Sequence, residues 1–396
     1  MPVLVYVIHR LGPEGYGQWM MATAIVAACT ILTNLGLRGA FIRAVAKDPS
    51  TARRALAEQL GVRALLAMLA TLVAAAAGLL LGYDATVLSC LAVGSLGMLL
   101  SAIATTLSDL PQATHRLRTV AAVNLAAGLV LTGASLAAAA AGAGPVGLAL
   151  SYLLGPAVAL IACAVAVQRS VCPVGVSWSV ASTRRLLHAC RHFTAQQLLA
   201  TCGAHAESLL LPRLDGAAAM GHFTAGSLLA TRLSAFSDGL GTAAYPAMSR
   251  RFRDGRHDGA GLFLRLAAIA FVGGLVLAGA AALVAPPLGR VLFPADAGIF
   301  IDVALVTVWS LPAVGVEVVL GSAVNAAGED AAQTRASVPA AIAGLAAAIL
   351  LVAAWGPIGA ALSLLLRPII RCLFLVPTCV RTFRRPAPLL AGGCSP

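Results

Sequence analysis

Four stretches of this chain contain no charged residue at all: Ala64 to Tyr83 (20 residues), Ala85 to Ser108 (24), Thr119 to Gln168 (50) and Leu266 to Gly289 (24). Each meets or exceeds the roughly 20 apolar residues a helix needs to cross hydrocarbon, and nothing in a water-soluble globule calls for such intervals. The longest holds two spans, because "GAGPVG" at Gly142 to Gly147 supplies a turn where one is needed. With 60% of 396 residues hydrophobic and 11% charged, the chain reads as an all-α integral membrane protein.

The same rule places helices near 16–41, 60–82, 86–110, 119–141, 145–168, 190–212, 218–247, 262–286, 299–323, 334–355 and 357–380. The opening "MPVLVYVI" offers only about 10 Å of helix, against a hydrocarbon core of about 30 Å. It reads as the tail of a truncated first span, with the coding start placed late, which brings the count to about twelve. It lacks the basic n-region and small-residue cleavage site of a signal peptide. Basic residues resist translocation and mark the cytoplasmic side of short loops. Alternate loops collect 21 Lys and Arg on one face and three (Arg10, Arg213, Arg290) on the other, with three more inside spans, which accounts for all 27. That asymmetry predicts a multi-pass protein of the cytoplasmic membrane with its C-terminus in the cytoplasm. The net charge of +12 therefore reads as topology plus attraction to anionic lipid; no nucleic-acid partner is expected, since no soluble face gathers the arginines.

Nine cysteines without a C-x-x-C, mostly inside apolar runs, read as small packing residues. His188 and His192 stand at i, i+4 without a carboxylate partner, so no metal site is expected. Gly12, Gly15 and Gly17 follow no strand and have the wrong order for a phosphate loop; they mark a turn at a membrane face.

Two stretches repeat: "HRLGPEGYGQWMMATAI" from His9 and "PRLDGAAAMGHFTAGSL" from Pro212. Setting Gly17 on Gly221 fixes an offset of 204, and one residue of gap before that glycine brings Arg10-Leu11 onto Arg213-Leu214. Down the first helix, polar groups recur at Thr23, Thr30, Asn34 and Arg38, and the offset carries them to Ser227, Ser234, Asp238 and Thr242. The steps are 7, 4 and 4, so each set is one stripe on one helix face. The span before the second copy adds Thr194, Gln197, Thr201, His205 and Ser208 at steps of 3 or 4. Lipid cannot hydrogen-bond such a face, so it must meet other helices or a wet cavity. For His205, Glu207, Arg232, Asp238, Glu317, Arg367 and Arg371, helix glue is a weak explanation: an ionisable group at membrane depth costs several kcal/mol unless paired or hydrated. Residues 1–168 form one bundle and 190–382 another, joined by a cytoplasmic loop at 169–189 and followed by a tail at 383–396. Six spans in each half make the two copies parallel, related by a pseudo-twofold axis along the membrane normal, which is the plan of a rocking transporter.

The run "HRLGPEGYGQWMMATAIVAACTILTNLGLRGAFIRAVAKDP" resembles the opening of bacterial polysaccharide-biosynthesis flippases, the oligosaccharide-lipid translocators of the multidrug/oligosaccharidyl-lipid/polysaccharide (MOP) superfamily. "SDLPQATHRLRTVAAVN", "AAAMGHFTAGSLLATRLSAFSDGLGTAAYPAMSR" and "RVLFPADA" extend the resemblance over nearly the whole chain. It implies two helical bundles and a non-enzymatic function, moving polyprenyl-diphosphate-linked glycans between leaflets, with a polysaccharide polymerase and export machinery as associates and a monomeric transporter. A diphosphate cannot cross hydrocarbon unpaired, and arginine grips phosphate bidentately while staying charged. Candidates for that contact are Arg232, Arg367 and Arg371 within spans and Arg43 and Arg116 at the cytoplasmic entrance, with Thr30, Asn34, Gln197 and Ser234 lining the path. His205, Glu207, Asp238 and Glu317 are expected to act as counter-ions, or to take H+ or Na+ as a coupling ion; no other cofactor is implied. Two other classes compete. A drug or metabolite exporter of the same superfamily would need acidic or aromatic groups for organic cations, and this chain is 5% aromatic with basic residues mid-span. A lipid-linked glycan polymerase or glycosyltransferase would carry a D-x-D or a large external loop, and neither occurs.

Overall fold

A computed structural model of the chain describes residues 2–384 except 36, 39–40, 42–44, 46–47, 49–50, 115, 172–176, 178, 255 and 295; side chains are also left undescribed for most of 185–200 and 252–260. Among the described residues the structure is helical throughout, with no strand. Lipid satisfies no backbone group, so helices rich in Ala and Leu are the solution open to such a sequence. Eleven helices follow in order: α1 (Pro2–Asn34), α2 (Ala52–Leu80), α3 (Ala85–Ala113), α4 (Leu117–Ala140), α5 (Gly144–Val171), α6 (Val180–Leu233), α7 (Ala235–Asp254), α8 (Arg256–Leu292), α9 (Gly298–Val308), α10 (Leu311–Ala326) and α11 (Asp330–Arg384). Eight described helices are long and apolar enough to cross a membrane, so the all-α membrane expectation holds, while the count of about twelve is not reproduced as such.

The difference lies in how the long helices break. α1, α6 and α11 leave helical geometry at Gly12, Gly216 and Gly356. The 55 residues of α11 would make a rod of about 80 Å, so the break at Gly356 divides it into two lengths that each fit a bilayer. The opening residues join α1 as a short limb, 2–11, ahead of Gly12. α2 begins at Ala52, eight residues before its expected start near 60, because Arg53, Arg54 and Glu58 end the apolar run without ending the helix; Arg54 Nε reaches Glu58 Oε1 at 3.0 Å, one turn on.

The chain divides into two compact units, Met1–Gly221 and His222–Pro396. The division falls inside α6, beyond the expected connecting loop at 169–189, part of which lies outside the described residues, as does the tail from 385. In the first unit, α3 packs against α1, α2 and α5, while α4 packs on α5. In the second, α10 packs against α7, α8 and α11, and α9 against α8 and α11. The same wiring serves both: the third span of each unit is its hub.

Packing within the first unit inverts the pattern of a soluble helix. Along α2, the buried face carries Ala67, Ala70, Ala74 and Gly78, and the opposite face exposes Leu69, Leu72, Leu79 and Leu80. Large apolar groups gain nothing by leaving lipid, whereas small ones let helix backbones approach and pack. A Cβ on Gly78 would stand 2.5 Å from Leu91 Cδ2 of α3, which shows how close that approach is.

The repeat is visible in the backbone. Gly12 (φ 69°, ψ 175°) and Gly216 (φ 80°, ψ −173°) share one left-handed, extended geometry that favours glycine, and they are 204 residues apart. The extra residue of the second copy is therefore Asp215, inserted between Leu214 and the kink. Downstream, Gly17 and Gly221 approach backbone to backbone within the first unit. A Cβ on Gly17 would overlap the Ala217 carbonyl, and one on Gly221 would overlap the Pro13 carbonyl. Residue 13 maps to 217 as 17 maps to 221, so the contact is reciprocal under the repeat.

Candidate functional site

α1, α2, α3 and α5 enclose a cavity of about 350 Å³ in the first unit. From α1 it takes Trp19, Thr23, Thr30 and Asn34, and from just beyond the end of α1 Arg38, so the first polar stripe lines it. Thr23 Oγ1 donates to Trp19 O (2.9 Å) and Thr30 Oγ1 to Val26 O (2.7 Å). Each hydroxyl is satisfied by its own helix and, among the described residues, bonds no neighbouring helix, so neither ties α1 to another span. Across from α1, α3 contributes Gly94, Gly97, Ser101 and Thr105, and α5 contributes Tyr152 and Pro156.

The two ends of the cavity differ in chemistry. At one end Trp19 and Tyr152 meet with ring centroids 4.9 Å apart, and Tyr16 lies tilted against Trp19 at 5.6 Å. At the other end, about 22 Å along α1 by its helical rise, Arg63 enters from α2. Its Nη2 donates to Asn34 Oδ1 at 2.7 Å, its Nη1 donates to Thr106 Oγ1 at 3.1 Å, and Nη1 also lies 3.4 Å from Asp109 Oδ2. Arg38 Nε lies 3.3 Å from the other Asp109 oxygen, and Arg38 Nη2 donates to Gln112 Oε1 at 2.6 Å. Gln59 Nε2 donates to Asp109 Oδ2 at 3.2 Å. The Arg63 and Asp109 side chains are 2% and 1% exposed, and Arg38 is half exposed. Two guanidinium groups thus share one carboxylate, leaving one positive charge in excess. Arg63 Nε and Gln59 Oε1 are buried with no hydrogen-bond partner among the described residues, while Asp109 Oδ1 is held by the Arg38 ion pair, so this end keeps donor and acceptor capacity that the protein does not consume.

Arg63 and Asp109 are the residues that reading the sequence missed. Arg63 counts as a loop arginine when charges are used to mark sidedness; in the structure it lies eleven residues into α2, fully buried. The available signal was Gln59 and Arg63 one turn apart, facing an acid that closes a charge-free run. Of the expected residues, Thr30 and Asn34 reach this cavity. Arg116 is exposed at the start of α4, away from it. Arg43 and the side chain of Gln197 lie outside the described residues.

In the second unit the structure brings four candidates together. Arg371 Nη1 bonds Glu317 Oε1 at 2.6 Å between α11 and α10, and Arg367 and Asp238 lie within electrostatic range of Glu317. The cation that Glu317 pairs with is Arg371. Arg232 ends α6, exposed, with no ion pair or hydrogen bond among the described residues. Ser234 Oγ donates to Thr231 O at 2.9 Å and Thr242 Oγ1 to Asp238 O at 2.8 Å, so the second stripe is also satisfied by its own helix. Glu207 is buried and His205 half-buried, both engaged in interactions of their own. Cys29, Cys90, Cys163 and Cys379 are buried free thiols, and no cluster of three or more His, Cys, Asp or Glu suited to a metal occurs among the described residues.

Comparison with solved structures gives the fold a context. An inward-facing multidrug resistance MATE transporter of the MOP superfamily matches with a TM-score of 0.72 at 13% identity, covering 96% of this chain and 93% of that one. The lipid II flippase MurJ in an inward closed conformation matches at 0.64 and 10% identity, covering 96% and 87%. A MOP-superfamily transporter from Pyrococcus furiosus, described as having a binding pocket of reversed polarity, matches at 0.57 and 14%, covering 96% and 92%. At such identities the likeness establishes the MOP transporter fold, and these neighbours are transporters and flippases, not enzymes. No curated protein matches the sequence. The polysaccharide biosynthesis protein family matches residues 2–252, a range that holds the whole cavity with its arginines, and the chain belongs to that family.

Proposed function

We propose that the protein is a flippase that carries polyprenyl-diphosphate-linked oligosaccharides across the cytoplasmic membrane by alternating access, for surface polysaccharide assembly. The observation that carries this reading is the charge balance of the cavity: Arg38 and Arg63 against the single carboxylate of Asp109. An anionic diphosphate is stabilised by that excess, and a cationic drug is repelled by it. The hydroxyl and amide stripe between the arginines and the Trp19–Tyr152 pair offers sugar hydroxyls a polar wall and an aromatic face, while the polyprenyl chain stays in lipid. An exporter of organic cations would need Asp109 uncommitted, and it is bonded by three side chains.

In this reading the basic loops and the C-terminus face the cytoplasm, Arg232 supplies a further cation from the second unit, and Arg43 and Arg116 attract cargo at the entrance. The protein works as a monomer beside a polysaccharide polymerase and export machinery. Glu317, paired with Arg371, is a structural counter-ion, and H+ or Na+ is the coupling ion if one drives the return step.

The test is complementation of a strain lacking its own oligosaccharide-lipid flippase. Arg38→Gln and Arg232→Ala are each expected to lower surface polymer at least tenfold, since one charge-assisted contact is worth about 1.5–3 kcal/mol, with membrane abundance unchanged. Normal polymer in both variants would end the reading.

A further inference from the structure

A second recess lies in the other unit. α11 turns back at Gly356, so residues near both of its ends, Asp330 and Arg384, come to one side. There the two limbs border a groove of about 700 Å³ whose wall includes Glu329, Arg335, Pro339, Phe374, Pro377 and Arg381. Its residues sort by depth. Arg335 and Arg381 stand within a turn or so of the helix ends, and Phe374 lies seven residues deeper, about 10 Å by helical rise. Headgroup layers are about 5–8 Å thick on each side of the hydrocarbon, so a cationic rim meets headgroups while an apolar floor meets acyl chains.

Three further observations fit a lipid. Arg335 and Arg381 are exposed and make no ion pair or hydrogen bond among the described residues. Leu373, Phe374, Val376 and Val380 on the same limb are exposed to whatever surrounds the protein. Pro339 and Pro377 each remove the helix bond to the carbonyl four residues back, at Arg335 and Leu373, and both of those residues line the groove. Against the two arginines stands one acid, Glu329, so the rim carries one net positive charge.

We propose that this groove holds one anionic phospholipid, its phosphodiester between Arg335 and Arg381 and an acyl chain along Pro339, Phe374 and Pro377. A single-charge excess matches a monoanionic headgroup, and arginine grips phosphate oxygens with paired donors. The site lies in the second unit, apart from the cavity between α1 and α5, and stands whatever cargo that cavity takes.

Native mass spectrometry of the delipidated full chain, titrated with phosphatidylglycerol and phosphatidylcholine of identical acyl chains, tests this. The first phosphatidylglycerol is expected to bind at least tenfold more tightly than phosphatidylcholine. Arg335→Gln with Arg381→Gln removes the preference, Arg335→Lys with Arg381→Lys keeps most of it, and Arg118→Gln, exposed at the start of α4, leaves it intact. Both target arginines are exposed, so elution and melting of the variants report that the fold persists. Equal affinity for the two lipids, or an unchanged preference in the double Gln variant, overturns the proposal. So does phosphatidylethanolamine binding as tightly as phosphatidylglycerol, which would assign Glu329 to an ammonium, or displacement by a polyprenyl diphosphate, which would assign the groove to the cargo.

Discussion

Arg63 and Asp109 hold opposite charges 3.4 Å apart with almost no exposure, in surroundings that strengthen their attraction and penalise either one alone. Removing one partner of such a pair costs about 3–5 kcal/mol, whereas replacing both by apolar groups of similar size is close to neutral. Arg63→Met is therefore expected to lower the melting temperature of the detergent-purified protein strongly, and Asp109→Leu likewise, since it leaves Arg63 without its carboxylate. The double variant should recover a large part of the loss, with a coupling of at least about 1 kcal/mol. Simple additivity would mean that Asn34, Thr105 and Thr106 hold Arg63 well enough without Asp109. The double variant removes one charge of each sign and leaves the excess cation in Arg38, so it should export polymer where Arg38→Gln does not, which separates the structural role of the pair from the excess charge that carries function. Sequence reading saw half of this site. Thr30 and Asn34 were legible, because a polar stripe on an apolar helix has few explanations. Arg63 was not, because an arginine near a span end serves topology just as well, and only the partner in α3 decides between the two roles.

At the scale of elements, the informative contact is between glycines. Gly17 and Gly221 let α1 and the second limb of α6 approach so closely that a methyl group on either overlaps a carbonyl of the other helix. Backbone atoms cannot swing aside as a side chain does, so Gly17→Ala or Gly221→Ala forces the helices apart and is expected to cost about 1–3 kcal/mol, the range for overpacking a filled site. Gly128→Ala and Gly133→Ala on α4, where an added Cβ meets nothing within 4 Å, should melt within a degree or two of the parent. If all four variants behave alike, the close approach is not part of the stable fold. The offset of 204 made this pair visible in the sequence, but not that its members touch, since a repeat specifies equivalence and not distance. A second repeat escaped notice altogether. "GPVGLALSYLLGP" from Gly144 and "GPIGAALSLLLRP" from Gly356 align at an offset of 212, each opening a helix after a left-handed glycine. On that offset Gly155 and Ala159 of α5, whose neighbour Pro156 lines the cavity of the first unit, become Arg367 and Arg371. Where one copy has small residues, the other has cations, of which Arg371 pairs with Glu317, so duplication supplied the frame and divergence the charge.

For the whole molecule, the two repeats make a demand on chain direction that no single contact tests. Between the turn at Gly142 and the break at Gly356 the chain runs through α5, the two limbs of α6 with α7 continuing the second, α8, α9 with α10, and the first limb of α11. That is six crossings if each is a full span, an even number, so the two turns lie on one side of the membrane and the parallel plan holds. The described helices that qualify by length and apolarity number eight, and the last of them runs for 53 residues, so the parallel plan is a question of sidedness that labelling reads directly. Cysteines placed at Ala141 and Trp355, both exposed beside those turns, answer it in intact cells, with the native cysteines replaced by Ala. Both are expected to react with a membrane-impermeant thiol reagent from outside, while a cysteine at Arg116, on the basic face, reacts only after the membrane is opened. Labelling of Ala141 and Trp355 from opposite sides would make the repeats antiparallel, and a cavity built from matching stripes would then face opposite leaflets in the two copies. The basic-residue count makes the same prediction independently: every short loop on the side of Gly142 and Gly356 carries at most one arginine, because a chain that has to push a loop through hydrocarbon keeps its cations off it.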